Sequence, residues 1–422
     1  MNQKQTVSLE TVLKGIKPID KEAVKAAKAH WDRVAKPLNS LGVLEEDICR
    51  IAGVKRREEF SLDKKCIVIM CADNGIVAEG VTQTGQDVTA AVAKNMAARR
   101  SCVCLMAACA GAEVLPVDVG IAADMTGTRI LDRKIAWGTR DFLKEPAMTR
   151  KEAVKALEVG IEAAGILHEK GCDLAGTGEM GIGNTTTSSA VISVLTGLDP
   201  EVVTGRGAGL DHAGLRRKIE VIKEGIRIHR PDPSDGIDVL SKVGGLDLAA
   251  LTGFYLGCAY WRIPVVLDGL ITGAAALAAV KICPEVAGYL LASHVSAEPA
   301  GQAVLSCLGL KAAIQAGMCL GEGTGAAAFF PMLDYGPYCF TGKMDTFQDI
   351  KVNHIAILRK MYSRNLFVLD FARRFLSVVP KIFEAYAVRT LIKFGCDWRK
   401  IGRKGKCMKD SESTSYKTGC RQ

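Results

Sequence analysis

Two glutamates of this 422-residue chain stand among glycines: Glu179 in GTGEMGIGNTTTSS, residues 176–189, and Glu322 in LGEGTGAAAFF, residues 320–330. Glycine leaves the main chain bare enough for backbone N–H groups to meet a ligand. A carboxylate set against apolar walls has its pKa pushed upward, which suits a general base. Glu322, followed by a run of alanines and phenylalanines, has that setting. Glu179 sits at a helix entrance, where it either complements the helix dipole or serves a reacting centre. A third glycine turn, VTGRGAGLDHAGLRRK over residues 203–218, adds Arg206, Arg216, Arg217 and Lys218. Glycine turns that open helices present unpaired N–H groups to an anion, and Asn184–Thr187 read as capping residues. Two such turns, one with a lysine at the start of its helix, favour a nucleotide monophosphate as ligand. There is no Walker A loop. GRGAGL lacks the remainder of a dinucleotide fingerprint, which argues against an NAD-dependent dehydrogenase.

The elements that position these groups follow from alternation. CIVIMCADNG (66–75), EVLPVDVG (113–120), CDLAGTGEMG (172–181) and IPVVLDG (263–269) are β-like runs, each ending in an acidic residue and glycine. Helical patterns at 87–111, 149–171, 213–226 and 247–261 alternate with them. Strand-then-helix alternation predicts a doubly wound α/β parallel sheet, whose ligands lie beyond the carboxyl ends of the strands. Asp73, Asp118 and Asp268 fall at that edge as metal ligands or as caps and turn formers. Six scattered histidines without ligand spacing argue against a metal site, and His294 in SHVSAEP reads as a structural hydrogen-bonding group. The polar stretch 73–89 is a candidate substrate lid.

Fifteen cysteines, an odd number with no C-x-x-C pair, are expected to be reduced thiols in a cytoplasm, and CVC at 102–104 to be packing in a buried helix. No apolar run reaches the ~18 residues of a spanning helix, and the first residues show no secretory h-region. The net charge of +9 is unevenly placed: from Arg359 onward there are 16 Lys+Arg against 5 Asp+Glu, while the preceding body carries 39 against 41. A polyanionic partner such as nucleic acid is therefore not expected for the body.

Seven ordered blocks carry a resemblance: DNGIVAEGV, GEMGIGNTT, TGRGAGLDHAGLRRK, GGLDLAALTGFYLGCA, PVVLDGLITGAAALAA, SHVSAEPAG and LGEGTGAA. With these, the chain resembles the nicotinate-nucleotide–dimethylbenzimidazole phosphoribosyltransferases, which make the lower nucleotide loop of cobamides. The resemblance covers roughly residues 10–352. It implies a Rossmann-like doubly wound parallel sheet with a smaller helical domain, a homodimer, and no cofactor. It makes Glu322 the catalytic base and puts Glu179 where ribose and incoming base meet. Gly181, Gly205, Gly207, Lys218, Asp268, Gly269 and Ser296 would form the mononucleotide site, with Lys218 on the phosphate. Thr84, Met180 and Leu320 would wall the pocket of the acceptor base. The implied domain division is 1–65 (helical), 66–300 (α/β), 301–352 (completion of the catalytic region) and 353–422 (basic extension).

Two features depart from the family pattern. Relatives commonly carry a Ser-Pro or Tyr-Pro step before the Val-Thr pair, where this chain has Thr84–Gly85 before Val88–Thr89. A loop freed of proline is less restricted, so another benzimidazole, a purine or a phenol stands beside dimethylbenzimidazole as acceptor. A non-catalytic nucleotide-binding regulator on the same fold is the alternative of a different class. The extension after residue 352 matches nothing in the family; contact with a membrane surface through LFVLDFARRFLSVV is the less favoured of its readings.

Overall fold

The computed structural model describes residues 7–341. The notion of a basic extension over 353–422 lies outside the described residues. Three helices lead the chain: α1 (Leu9–Gly15), α2 (Lys21–Arg33) and α3 (Val43–Lys55). Then come β1 (Lys65–Ala72), α4 (Asp87–Ala97), α5 (Cys102–Cys109), β2 (Ala112–Gly120) and the two-residue β3 (Leu131–Asp132). Next are α6 (Arg150–Glu169), β4 (Leu174–Met180), α7 (Asn184–Thr196), α8 (Pro200–Val203), α9 (His212–His229), α10 (Gly236–Val243) and α11 (Leu246–Trp261). Finally β5 (Val265–Leu267), α12 (Leu270–Ile282), β6 (Leu290–Ala292), α13 (Gly301–Cys307) and α14 (Thr324–Thr341) complete the described chain.

All strand pairings are parallel, in the order β3-β2-β1-β4-β5-β6. This is the Rossmann-like doubly wound arrangement that the strand–helix alternation predicts, and its order reverses between β1 and β4. A ligand belongs in the crevice beyond those two strand ends.

The period-two side-chain alternation of β1 divides the interior in two. Val68, Met70 and Ala72 enter one core with residues of α6, α7, α11 and α12; Ile67, Ile69 and Cys71 enter the other with α3, α4, α5 and α14. In the second core Trp31 of α2 and Ile48 and Ile51 of α3 join Phe329, Phe330 and Leu333 of α14. The smaller helical layer therefore shares its interior with the helix that follows Glu322. Lys65 at the start of β1 reaches Asp334 of α14 at 2.8 Å across the same layer.

Two local expectations are corrected. The helical pattern over 87–111 is two helices, because Arg99 takes a left-handed φ of 61° between α4 and α5. CVC is not in a buried helix: α5 buries Val103 and Cys104 but leaves Cys102 and Leu105 exposed. Among the described residues twelve cysteines are free, and no helix is long and apolar enough to cross a membrane.

Candidate active site

A cavity of about 410 Å³ opens at the carboxyl edge of the sheet. Of the residues singled out from sequence, Thr84, Glu179, Met180, Gly181, Gly207, Gly269, Ser296, Leu320 and Glu322 line it. Gly205, Lys218 and Asp268 stand behind that lining, and each acts through a neighbour.

Asp268, at the end of β5, is buried and holds the turn that carries Glu322. Its Oδ2 accepts the N–H of Gly323 at 2.8 Å and its Oδ1 the N–H of Gly325 at 2.6 Å. The first turn of α14 is thereby capped by a carboxylate more than fifty residues away, a favourable charge for a helix N-terminus. Glu322 itself has a φ of +62°, a left-handed conformation that non-glycine residues seldom adopt and that clusters at functional sites. Burial raises its pKa, and the negative charge of Asp268 adds to the rise.

Two of the four glycines in the stretch 176–183 make this placement possible. A Cβ on Gly178 would stand 2.5 Å from the Glu322 carbonyl oxygen, and one on Gly176 would stand 2.9 Å from the Ala326 Cβ. Both glycines of β4 are thus bare to admit α14, where the sequence suggested exposure to a ligand. Gly183 has a different task. With a φ of +95° it is the N-cap of α7, in place of the expected Asn and Thr caps.

Asn184 consequently turns its side chain away from the helix end and donates from Nδ2 to Glu179 Oε2. Glu179 is buried, and its pKa is pushed up to about 8, by desolvation first and then by the charges of Asp247, Asp268 and Glu322. Asp247, at the start of α11, is fully buried and rises to about 6 through desolvation. Its carboxylate lies against Gly181 and Gly245.

The opposite wall carries a buried cation. Lys218 on α9 is 1% exposed, and its Nζ donates to Thr185 Oγ1 at 2.8 Å and to the Gly205 carbonyl at 3.2 Å. Burial lowers its pKa to about 8, against the opposing pull of Glu298. Thr185 and the turn 206–210 line the cavity directly in front of this lysine. Arg206 stabilises the turn by donating from Nη1 to the Leu210 carbonyl at 2.7 Å. Asp211 accepts from Gly214 N at 2.7 Å and caps α9.

Sequence reasoning did not single out Asn184 as the partner of Glu179, nor Asp247 or Glu298. Asp247 follows a glycine pair in GGLDLAALTGF, the same acidic-glycine pattern that marked the strand ends, so a signal was present. His294, read as structural, lines the cavity while its Nδ1 lies 3.0 Å from Ser293 Oγ. Asp73, at the end of β1, accepts the Ala122 N–H at 2.8 Å. Asp118 near the end of β2 accepts the Ile121 N–H at 2.9 Å and pairs with Lys134 at 3.0 Å.

Fold and site together define a doubly wound α/β enzyme with a buried lysine behind one wall of its cavity and clustered carboxylates at the other. The chain belongs to a phosphoribosyltransferase family, whose sequence model matches residues 16–352. The nicotinate-nucleotide–dimethylbenzimidazole phosphoribosyltransferase of Ruminiclostridium cellulolyticum is 46% identical over 82% of this chain and 98% of its own length. That of Clostridium acetobutylicum is 43% identical over 82% and 98%. A crystal structure of CobT from Thermus thermophilus superposes with a TM-score of 0.75 at 36% identity, covering 79% of this chain and 99% of the other.

Proposed function

We propose that the protein transfers the 5-phosphoribosyl group of nicotinate mononucleotide to 5,6-dimethylbenzimidazole or a related base, giving α-ribazole phosphate and nicotinate for the nucleotide loop of a cobamide. The observation that carries this reading is the division of the cavity: Lys218 behind Thr185 on one side, Glu322 in its left-handed turn on the other. The phosphate goes to the N–H groups at the start of α7 and to the turn over Lys218. The anomeric carbon then lies between Glu179 and Glu322. In the donor that carbon bonds to a pyridinium nitrogen. When the bond breaks, its electron pair neutralises the pyridinium, and nicotinate leaves without needing a general acid. The lone pair of the acceptor nitrogen forms the new bond from the opposite face. The proton of the other imidazole nitrogen passes to Glu322. The raised pKa of Glu322 suits proton acceptance, and the charges of Asp247 and Asp268 beside Glu179 suit a developing cation near neutral pH.

On this reading Thr84, Met180 and Leu320, which line the cavity, bracket the acceptor, and the glycine at position 85 is the reason to test purines and phenols beside benzimidazoles. The finer reading includes a homodimer and a cytoplasmic setting, the latter supported by the free cysteines. Product analysis with nicotinate mononucleotide and a panel of bases tests the assignment. Glu322→Gln is expected to lower kcat by about 10²- to 10⁴-fold, with the KM for the mononucleotide within a few-fold. Unchanged turnover would remove Glu322 from the reaction.

A further inference from the structure

We propose that Gln83 is a positioning residue that couples the two substrate loops, so that a bound mononucleotide tightens the site for the acceptor base. The inference rests on the reading of the site given above. Residues Val81–Thr84 and residues 206–210 both line the cavity, and on that reading the first loop receives the base and the second the mononucleotide. The two loops meet through a hydrogen bond from Gln83 Nε2 to the Gly209 carbonyl.

The rest of the base loop is fastened elsewhere. Its start lies on α9, where a Cβ on Gly80 would stand 2.8 Å from Arg217 Nη1. Its end is tied down by Gln86, whose Nε2 donates to the Asn74 carbonyl at 3.3 Å. Between these anchors Thr82 bonds only within the loop, to the Thr84 carbonyl at 2.8 Å, and Gln83, Thr84 and Gly85 are exposed. Gln83 is therefore the contact that sets where the middle of the loop rests.

What Gln83 grips is tied to the lysine wall. Gly209 belongs to a tight turn whose Gly209 N and Leu210 N both bond to the Arg206 carbonyl, at 3.2 and 3.0 Å. The same turn leans on the lysine's partner: a Cβ on Gly207 would stand 2.9 Å from Thr185 Oγ1. The path from the lysine wall to the base loop therefore runs Lys218, Thr185, Gly207, Gly209, Gln83. A phosphate that fixes the turn fixes the Gly209 carbonyl, and with it the wall on which the base is received. Because a coupling of affinities is reciprocal, the base must tighten the mononucleotide by the same factor.

The test uses the full chain carrying Glu322→Gln, so that both substrates can be bound without turnover, and calorimetric titration of 5,6-dimethylbenzimidazole with and without saturating nicotinate mononucleotide. One hydrogen bond of ordinary strength corresponds to about five-fold tighter base binding in the presence of the mononucleotide. Adding Gln83→Glu, which keeps the length but removes the N–H donor, or Gln83→Ala is expected to bring that ratio to about one. The ratio is read against each variant's own titration without mononucleotide, so a change in base-only affinity does not enter it. The reverse titration, mononucleotide with and without base, should show the same factor and the same loss. A ratio that survives both Gln83 variants, or a ratio of one before they are introduced, overturns the coupling. An equal loss with and without mononucleotide also overturns it, because Gln83 would then simply touch the base. If the mononucleotide does not bind at all, the proposed reaction fails, and the coupling fails with it.

Discussion

The turn that carries Glu322 hangs on Asp268, and Asp268→Asn puts a number on that dependence. Each carboxylate oxygen accepts one N–H, from Gly323 at 2.8 Å and from Gly325 at 2.6 Å. Asparagine keeps one acceptor and turns an NH₂ group toward the other N–H, so one charge-assisted bond is lost and two donors face each other. Such a bond is worth about 1.5–3 kcal/mol, and burying one carboxylate fewer offsets part of the loss. A net of about 1–2 kcal/mol spent on populating the left-handed Glu322 turn corresponds to a roughly 5- to 30-fold fall in kcat. The pH profile separates this from a merely structural loss. Burial is the larger cause of the raised Glu322 pKa, and the Asp268 charge is the second. A base works when deprotonated, so activity disappears as pH falls through its pKa. Removing the Asp268 charge lowers that pKa and must shift the acid limb of the kcat profile to lower pH. Steady-state kinetics with nicotinate mononucleotide and a benzimidazole from pH 5 to 8 read both effects. A kcat within three-fold of the parent, or an acid limb that stays put, refutes the assignment of Asp268 as the support of Glu322.

The remaining predictions concern the carboxylates and the bare strand. Folded Glu179 titrates near 8 against 4.5 for the free side chain, and Asp247 and Asp268 near 6 against 3.8. Across those windows the folded chain binds more protons than the unfolded one, so stability falls as pH rises. From pH 6.5 to 8 Glu179 dominates, with a loss on the order of 2 kcal/mol. Above about 8 the depressed Lys218 contributes in the opposite sense. Thermal melts of the substrate-free protein should therefore lose a few degrees between pH 6.5 and 8, and Glu179→Gln should remove most of that slope; a rising Tm would contradict the argument. Gly178→Ala drives a Cβ to 2.5 Å from the Glu322 carbonyl, an overpacking of about 1–3 kcal/mol. It should lower kcat more than ten-fold while mononucleotide affinity, measured by equilibrium binding, stays within three-fold.

The long strands were legible because β1, β2 and β4 are apolar runs of seven residues or more that end in an acid and a glycine. Of the short strands, β5 was legible from the acid and glycine that follow it, whereas β3 and β6, with two and three residues, are too short for any period to show. Glu322 could be picked out because the glycines on either side of it, which share its left-handed turn, are local in sequence. Asp268 could be placed at the active edge, but its work depends on N–H groups 55 and 57 residues further along. Sequence spacing carries no record of such a contact. The glycines were half read for the same reason. The left-handed turn at Gly183 is a local property, whereas Gly176 and Gly178 are bare because of α14, a helix that the strand does not know about until the chain has closed on itself.

On the proposed reaction, charge placement lets one cavity serve both ends of a sugar phosphate. The groups bearing most strongly on Glu179 after burial are Asp247, Asp268 and Glu322, all negative, and Asn184 gives only a neutral hydrogen bond in compensation. Asp268 is likewise met by backbone N–H groups, and Asp247 by the Leu248 N–H and two asparagine amides. Burial raises all of these carboxylates, and neighbouring negative charge adds to the rise at Glu179 and, from Asp268, at Glu322. A positive charge arriving among them relieves that repulsion more than it would beside a single solvated carboxylate, since Glu179, Asp247 and Asp268 are buried. On the proposed reaction, the positive charge at the anomeric carbon is greatest as the bond to nicotinate breaks. The relief is then greatest in the transition state, the condition for stabilisation to appear in kcat as well as in binding. Lys218 stands on the other wall, with Glu298 as the opposing charge that bears on it. The phosphate can thus be held by a cation that does not cancel the negative field at the far end of the ribose.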